Sequence, residues 1–223
     1  MEIIASWHCS TGEKILSFPF NEKSNIYAKD LNYTKNGVEF SLVYNKKEYK
    51  TSALLLGFHN ISNIVLCANI CLSLGLSINE IISGIEKLLP SPHRLAIIPS
   101  SESLIVIDDA YNGSVEGAKA AMEVLASYKS KKVVITPGLV ELGKEQFDSN
   151  KELGILMAQK TDYVIINGTT NYEAIFAGLK EGGMPEDKIF RAGGLKQAVT
   201  ILADITEPGD VVLFENDLPD NYS

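Results

Sequence analysis

The sequence has no long apolar run, few cysteines and no surplus of positive charge. No stretch of about eighteen apolar residues, the length of a membrane-spanning helix, occurs in the 223 residues. Glu2, Trp7 and His8 interrupt the short apolar start, so its form is not that of a signal peptide. These features predict a cytoplasmic protein without a membrane partner.

The charge balance and the cysteines exclude two further classes. Twenty Lys and Arg stand against 28 Asp and Glu, a net charge of -8, and no long basic run occurs, so a nucleic-acid partner is not expected. The three cysteines, Cys9, Cys67 and Cys71, form no C-x-x-C pair, which argues against a disulfide framework. Cys67 and Cys71 lie four residues apart in an apolar stretch and are expected to fill core space.

The first part of the chain is β-rich and then helical. Residues 15–18, 25–28, 38–44 and 48–56 have strand composition and are separated by turn residues, which predicts a meander or a set of hairpins. From Asn60 to about Gly75 the apolar residues recur at helical spacing. Ser77 and Glu80 predict a capping box for a second helix over 78–88, and two prolines then predict a hinge over 89–94.

The rest of the chain alternates short apolar runs with helical stretches. This alternation is typical of βαβ units and predicts an α/β, Rossmann-like domain with a mainly parallel sheet covered by helices. The expected strands are 104–107, 132–135, 163–166, 189–190 and 211–214, and the expected helices are 115–128, 149–160, 172–182 and 195–205.

The first candidate binding motif joins a strand to the first helix. Gly57 suits an unusual backbone angle, and His59, Asn60 and Asn63 follow it with donors and acceptors. An Asn amide can pair with the donor and acceptor edge of a purine. The alternative is that Asn60 or Ser62 only caps the free amides of the helix.

Two further motifs place charge beside the hinge and at a strand end. Arg94 follows the two prolines, and a planar guanidinium suits phosphate oxygens, although a single arginine is more often only a surface residue. Asp108 and Asp109 end the first strand of the α/β domain, the edge at which open parallel sheets bind ligands. Such a carboxylate could accept hydrogen bonds from ribose hydroxyls or a substrate amine, or could cap the next helix.

A fourth motif is the loop over residues 136–143, which follows the second strand of the α/β domain. Loops at this edge are often functional, and a plain connector is an equally good interpretation. A phosphorelay receiver also has an acidic pair after its first strand. The third strand, however, ends in Asn167 and Gly168 without the aspartate that would accept phosphate, which argues against that class.

In their order and separation these motifs resemble the Mur ligase family. Residues 57–63 look like its G-x-H-N-x-x-N segment, residues 92–94 like P-G-R, and residues 108–112 like D-D-S-Y-N. Residues 140–143 are similar to an L-E-L-G segment of the branch that adds D-alanyl-D-alanine. The similarity covers nearly the whole chain, and its specificity lies in the ordered set.

The resemblance implies an ATP-dependent ligase of peptidoglycan precursor synthesis. Such an enzyme uses ATP and Mg²⁺ to phosphorylate the carboxylate of a UDP-muramoyl-peptide, and an amino acid or dipeptide such as D-alanyl-D-alanine then displaces the phosphate. By resemblance, Asn60 with His59 or Asn63 would contact adenine, and Arg94 would contact phosphates when the domains close. The resemblance also implies that Asp109, next to Asp108, would contact the ribose. Tyr111 and Asn112 would shape the same nucleotide-binding edge.

The departures from the family pattern are equally specific. No Gly-Lys-Ser or Gly-Lys-Thr ending of a phosphate loop occurs, and the family's metal ligands are expected upstream of this sequence. We therefore expect residues 1–91 to be the end of the central ATPase domain and 92–223 the C-terminal domain, inactive alone. The alternative is a complete, non-catalytic module that binds a nucleotide or a partner.

Smaller departures concern single positions. His93 replaces the glycine of P-G-R, and Ser114 with Val115 replaces Asn-Pro. After the last strand, the family's K-G-S run is replaced from Glu215 onward, which leaves the identity of the amine acceptor open.

Overall fold

The computed structural model describes residues 5–8, 14–17, 24–98, 103–111 and 113–216, the first two ranges by their backbone alone. The chain forms two compact units, Met1–Pro90 and Ser91–Ser223. Each unit has its own sheet and its own apolar core, and each is described by itself.

The first unit combines antiparallel strands with two helices. Strands β1 (Ala5–His8) and β2 (Lys14–Ser17) form a hairpin, and β3 (Ile26–Thr34), β4 (Gly37–Tyr44) and β5 (Lys47–Ala53) form a three-stranded meander. Helices α1 (Phe58–Ser73) and α2 (Ile78–Ile85) follow. The predicted capping box is confirmed, because the Ser77 hydroxyl accepts from the Glu80 amide and Glu80 accepts from the Ser77 amide.

The core of the first unit lies between the meander and the two helices. Alternate residues of β4 and one face of α1 supply many of its side chains, as the strand and helix periods require. Cys71 packs partly against this core, whereas Cys67 is exposed, so the prediction of a core role is wrong for Cys67. The buried core residues are Ile26, Ala28, Val38, Phe40, Leu42, Ala53, Ile61, Ile64, Val65, Ala68, Ile81 and Ile85.

The second unit is a six-stranded sheet with helices between its strands. Its strands are β6 (Ala96–Ile98), β7 (Ile105–Asp109), β8 (Lys132–Thr136), β9 (Tyr163–Asn167), β10 (Ile189–Ala192) and β11 (Val211–Glu215). Its helices are α3 (Val115–Ala126), α4 (Gln146–Lys160), α5 (Tyr172–Glu181) and α6 (Leu195–Ile205).

The strand order is β10-β9-β8-β11-β7-β6. Only the pairing of β6 with β7 is antiparallel, and the other four pairings are parallel, so the predicted mainly parallel α/β sheet is confirmed. The last strand, β11, lies between β7 and β8. The carboxyl ends of these three strands therefore meet at one edge of the sheet, which is the edge that binds ligands in such folds.

The side chains of the sheet alternate between its two faces. Val106 of β7, Ile135 of β8 and Val212 of β11 belong to one buried cluster with Ala198 and Leu202 of α6. Because successive residues of a strand point to opposite faces, Asp109 and Glu215 point to the face away from α6. On that second face α4 and α5 cross closely: a Cβ added to Gly178 would lie 2.0 Å from the Lys151 carbonyl oxygen.

The element boundaries differ from the sequence-based ones in a few places. Helix α1 begins at Phe58 rather than Asn60, α4 begins at Gln146 rather than at residue 149, and α2 ends three residues early, at Ile85. Strand β6 was not expected at all. Within the described residues no helix has the length and apolarity needed to span a membrane.

Candidate functional site

The acidic pair lies at the carboxyl end of β7, one residue on each face of the sheet. Asp108 is buried, and its Oδ2 lies 2.8 Å from Nδ1 of His93 while its Oδ1 accepts a 3.2 Å bond from the Ala110 amide. Neither aspartate caps the following helix, because the hydroxyl of Ser114 accepts from the Gly117 amide at that position. The capping alternative for the pair is therefore wrong.

Asp109 ties the segment after the two prolines to the strand. Its Oδ1 accepts a 2.8 Å hydrogen bond from the Leu95 amide. Burial raises the pKa of the Asp109 carboxyl above its ordinary value, and neighbouring Asp108 adds to this rise. The Leu95 amide and the charge of Arg94 act against the rise, so Asp109 is a half-buried carboxyl with a positive side chain nearby.

Arg94 and Tyr111 form an exposed cation–aromatic pair beside these carboxyls. The guanidinium carbon of Arg94 lies 4.5 Å from the centre of the Tyr111 ring, within the range of a cation–π contact. The Tyr111 amide donates to the His93 carbonyl at 3.1 Å, which holds the two segments side by side. Tyr111 as a whole residue is 53% exposed. Asn112 lies outside the described residues.

His93 occupies its position with a left-handed backbone, at φ 58°. A glycine takes this conformation without strain, whereas a residue with a Cβ is strained in it. In this chain the imidazole, 60% exposed, instead reaches the carboxylate of Asp108. The structure therefore brings together Arg94, Asp108, Asp109 and Tyr111 from the sequence-based set and adds His93 to them.

Two residues at the end of β11 were missed as site residues. Glu215 is in register with Asp109 and fully buried, and burial, with a further contribution from Asp109, raises the pKa of its carboxyl well above the ordinary value. Asn216, at φ 61°, donates from its backbone amide to the Asp109 carbonyl at 3.1 Å. Their only sequence signal was the replaced K-G-S run.

The loop after β8 is held by side-chain amides from three elements. Asn150 of α4 both donates to the Leu139 carbonyl and accepts from the Leu139 amide, each at 2.8 Å. Asn171, at the start of α5, donates to the Pro137 carbonyl, and Asn216 donates to the Gly138 carbonyl. Fully bonded buried amides fix a backbone in one conformation. The loop is thus a rigid part of the same sheet edge.

The first unit carries the other sequence-based candidates, His59, Asn60 and Asn63, on the first two turns of α1. Gly57 precedes the helix at φ 93°, as its position after the strand suggests. Neither Asn60 nor Ser62 caps the helix. The Asn60 side chain donates to the Leu56 carbonyl at 2.7 Å, and the Ser62 hydroxyl donates to the Phe58 carbonyl at 2.8 Å. The capping alternative is wrong here too.

His59 and Asn63 are exposed. Although the His59 side chain reaches solvent, enough atoms surround its ring for burial to lower its pKa, so the imidazole is neutral at neutral pH. A neutral imidazole has one donor and one acceptor nitrogen.

A magnesium ion is a poor match for the described residues. No three His, Cys, Asp or Glu side chains converge there, and Mg²⁺ prefers octahedral oxygen ligands. The described residues therefore offer no such ligand set of their own.

Comparison with protein families identifies the chain. Residues 93–215 match the model "Mur ligase, glutamate ligase domain", and residues 1–71 match "Mur ligase middle domain". The chain belongs to the Mur ligase family. All four grouped candidates of the second unit, Arg94, Asp108, Asp109 and Tyr111, lie within the first of these matches.

Named Mur ligases align with different lengths of the chain. It is 30% identical over 151 residues to the UDP-N-acetylmuramoyl-tripeptide–D-alanyl-D-alanine ligase of Escherichia coli, which covers 67% of this chain and 33% of that protein. It is 27% identical over 210 residues to the UDP-N-acetylmuramoyl-L-alanyl-D-glutamate–L-lysine ligase of Staphylococcus aureus. This alignment covers 91% of this chain and 41% of that protein. The chain thus spans between a third and about two fifths of these relatives.

Solved Mur ligase structures share the fold. The MurF ligase of Thermotoga maritima, determined in complex with ADP, superposes with a TM-score of 0.71 at 21% identity, over 88% of this chain and 44% of that one.

Proposed function

We propose that this chain forms part of an ATP-dependent, ADP-forming amide ligase of peptidoglycan precursor synthesis. Residues 1–91 supply the end of the central ATP-binding domain, and residues 92–223 supply the C-terminal domain. The complete ligase joins an amino acid or dipeptide, such as D-alanyl-D-alanine, to the carboxylate of a UDP-muramoyl-peptide. Membership of the Mur ligase family supports this proposal.

The arrangement of Arg94, Tyr111 and Asp109 carries the proposal. A guanidinium held over an aromatic ring is preorganised, so little side-chain freedom is lost when it binds a phosphate. Asp109 lies at the same strand end and suits the hydroxyls of a ribose, which are hydrogen-bond donors. A nucleotide would therefore meet a positive group and a hydroxyl acceptor a short distance apart.

The contact between Asp108 and His93 helps to hold this arrangement in place. Their contact of 2.8 Å, together with the bond from the Leu95 amide to Asp109, joins residues 93–95 to the end of β7 at two points. Arg94 lies between these two points. Its backbone position is therefore fixed relative to Asp109, and binding energy is not spent on ordering it.

The first unit would contribute contacts to adenine through Asn60, with His59 or Asn63. The Asn60 amide nitrogen already donates to Leu56, so its carboxamide oxygen is the atom that remains to accept from an exocyclic amine. A neutral His59 adds one donor and one acceptor.

The chemical contribution of the second unit is electrostatic. In phosphoryl transfer, charge spreads over the oxygens of the transferred group, and a fixed arginine stabilises that charge. Arg94 would supply this stabilisation, while Asp109 and Tyr111 would orient the nucleotide. ATP and Mg²⁺ bring the phosphoryl group and its counter-charge, and the sequence contains no Gly-Lys-Ser/Thr phosphate loop of its own.

An NMR titration of the chain with ADP tests the proposed site. We expect weak binding, with shift changes centred on Asp109, Ala110 and Tyr111, and at least a tenfold weaker response in Arg94→Ala. Arg191→Ala is the matched control, because Arg191 also lies over a tyrosine, Tyr172 at 4.6 Å, but on β10. Equal losses in the two variants, or no change in Arg94→Ala, would contradict the role of Arg94.

Calorimetry with magnesium-ATP separates the proposal from the non-catalytic alternative. Without a phosphate loop the chain alone should bind magnesium-ATP too weakly for a micromolar dissociation constant. Micromolar binding would favour an independent nucleotide-binding module. In a longer ligase that carries the phosphate loop, Asp109→Ala and Arg94→Ala should each lower turnover at limiting ATP, and unchanged turnover would contradict the assigned roles.

A further inference from the structure

The imidazole of His93 is held at one nitrogen and accessible at the other. Its Nδ1 lies 2.8 Å from Oδ2 of Asp108, and its side chain is 60% exposed, whereas that of Asp108 is 12% exposed. A carboxylate oxygen accepts hydrogen bonds and donates none, so the hydrogen of this contact belongs to Nδ1. The contact therefore orients the ring and leaves Nε2 as the nitrogen that a ligand can reach.

The protonation state of such a ring decides what its Nε2 can bind. A neutral imidazole with its hydrogen on Nδ1 has only an acceptor at Nε2, whereas an imidazolium donates from both nitrogens. Histidine is the side chain whose ordinary titration falls between about pH 5 and 8, and an adjacent carboxylate favours the charged form. A charged His93, held by Asp108, would thus present a donor to an anion.

The next residue along the chain, Arg94, supplies a permanent cation beside this ring. Its guanidinium carbon lies 4.5 Å from the centre of the Tyr111 ring. The Tyr111 amide donates to the His93 carbonyl at 3.1 Å, which holds residues 93 and 94 against the segment that follows β7. Two successive side chains therefore contact the same strand end, one through Asp108 and one through Tyr111.

The backbone is left-handed on both sides of Arg94. The φ angles of His93 and Leu95 are 58° and 48°, a conformation that strains a residue with a Cβ. Glycine would take it freely at residue 93, so the imidazole is present in spite of this strain. Strained residues concentrate at functional sites. The strain at His93 supports a role for its side chain beyond holding the backbone.

The charges at this strand end favour a second cation. The ionisable groups that lie there, besides the Tyr111 phenol, are Arg94, the adjacent acids Asp108 and Asp109, and Glu215, which is in register with Asp109. Asp108 is the group that contacts the imidazole. Acids repel a phosphate, and Arg94 alone faces several of them. A charged His93 offsets the charge of Asp108 and so makes the place more favourable for an anion.

We propose that His93 is a second phosphate ligand of the nucleotide site, which donates from Nε2 in its charged form while Asp108 holds Nδ1. This inference rests on the proposed ligase function and adds a proton to it. Because only the charged ring can donate from Nε2, binding of a phosphate is coupled to uptake of a proton by His93. Arg94 stays charged at every pH of interest, whereas the contribution of His93 follows the pH.

The test is an NMR titration of the histidine ring signals of the 223-residue chain across about pH 5 to 8. Separate arms contain no ligand, adenosine, inorganic pyrophosphate or ADP. The sequence has three histidines, and His93→Gly assigns the His93 signals. We expect pyrophosphate and ADP to raise the midpoint of the His93 titration by about 0.5 pH unit or more, because a phosphate favours the charged ring. Adenosine, which has no phosphate, should leave the midpoint unchanged.

Two substitutions at His93 extend the test to affinity. His93→Gly removes the imidazole and suits the left-handed backbone, so it cannot fail through strain. We expect it to bind ADP about as well as wild type does at about pH 8, and about threefold or more weakly than wild type at about pH 6. The titration of ADP itself is common to both proteins and cancels in their ratio. His93→Gln cannot be charged, so its ADP affinity relative to that of His93→Gly should not change with pH.

The outcomes separate this inference from the proposed nucleotide site. If ADP shifts the amides of Asp109 and Tyr111 and Arg94→Ala weakens that response, but ADP leaves the His93 midpoint unchanged or lowers it, the role of His93 is wrong and the ligase proposal stands. If pyrophosphate raises the midpoint while ADP leaves those amides unchanged, His93 binds phosphate and the nucleotide role fails. A midpoint that neither pyrophosphate nor ADP raises overturns the inference.

Discussion

The side-chain amide of Asn216 donates a hydrogen bond to the carbonyl oxygen of Gly138 over 2.6 Å, across 78 residues of sequence. Its carboxamide oxygen accepts from the Gly113 amide at 3.0 Å. One side chain at the end of β11 therefore joins the loop after β7 to the loop after β8, at the edge where the three strands end.

Substitution of Asn216 separates its side-chain bonds from its backbone conformation. Asn216→Gly keeps the left-handed conformation but loses both side-chain bonds, which should lower the free energy of unfolding of the second unit by about 1–3 kcal/mol. Asn216→Ala loses the same bonds and adds about 1–2 kcal/mol of backbone strain. Amide exchange in β11 measures both, and a glycine variant less stable than the alanine variant would contradict this account.

Substitution of Asn150 by aspartate should destabilise the second unit. Its amide nitrogen donates to the carbonyls of Leu139 and Gln146, both at 2.8 Å, and the residue has no exposed surface. Asn150→Asp replaces that donor by an oxygen facing two carbonyls, and we expect a loss of about 3 kcal/mol or more in the stability of the second unit. Asn79→Asp, on the exposed face of α2, is the control, and urea unfolding followed by amide exchange compares the two. Equal stabilities would show that the network does not hold the loop.

Two glycines in helices should respond in opposite directions to alanine. Gly178→Ala places a methyl group against the Lys151 carbonyl, so α4 and α5 must separate, at a cost of about 1–3 kcal/mol or more. Gly84→Ala meets nothing within 4 Å in α2 and should stabilise the first unit by about 0.5–1 kcal/mol. Amide exchange measures both changes, in the first unit for Gly84→Ala and in the second unit for Gly178→Ala. A neutral Gly178→Ala would mean that the helices do not approach this closely.

Glu215 should make the second unit less stable as the pH rises. Its folded-state pKa lies above the unfolded one, so the unfolded chain releases its proton first, and the folded state loses stability as the pH rises from the lower value to the higher one. Glu215→Gln cannot ionise. Its advantage over wild type should be small at about pH 4 and grow towards about pH 8, by about 1.4 kcal/mol for each unit of the pKa difference. Unfolding of both proteins across this range measures the gap, and a gap that is constant with pH would contradict a buried carboxyl in the folded state.

Much of the fold could be predicted because its strands are apolar runs and its helices are amphipathic. The apolar pattern does not predict an element whose stability comes from pairing with residues distant in the sequence. Strand β6 has three residues and exists through its pairing with β7, as Ala96 with Asp108 and Ile98 with Val106. Strand β3 runs on to Thr34 through an irregular stretch between Lys29 and Asn32, whose polar residues concealed it.

The candidate site divides in the same way. Arg94, Asp108, Asp109 and Tyr111 could be selected because motif and strand end coincide, and the structure groups them. Asn216 and Glu215 could not, because their roles depend on Gly138 and Asp109, each more than about 70 residues away in the sequence. The replacement of the K-G-S run by Glu215 and Asn216, directly after an apolar strand, was the one signal that the sequence offered.

The position of β11 has a consequence for how the protein is made. Strands β7 and β8 are not hydrogen-bonded to each other, and each pairs with β11, which is the last described strand to leave the ribosome. Until residue 215 has been synthesised, the sheet has a vacant middle position and two apolar edges that await the same partner. The second unit should therefore acquire its cooperative structure only after translation of β11, and nascent chains that end before residue 211 should stay sensitive to protease.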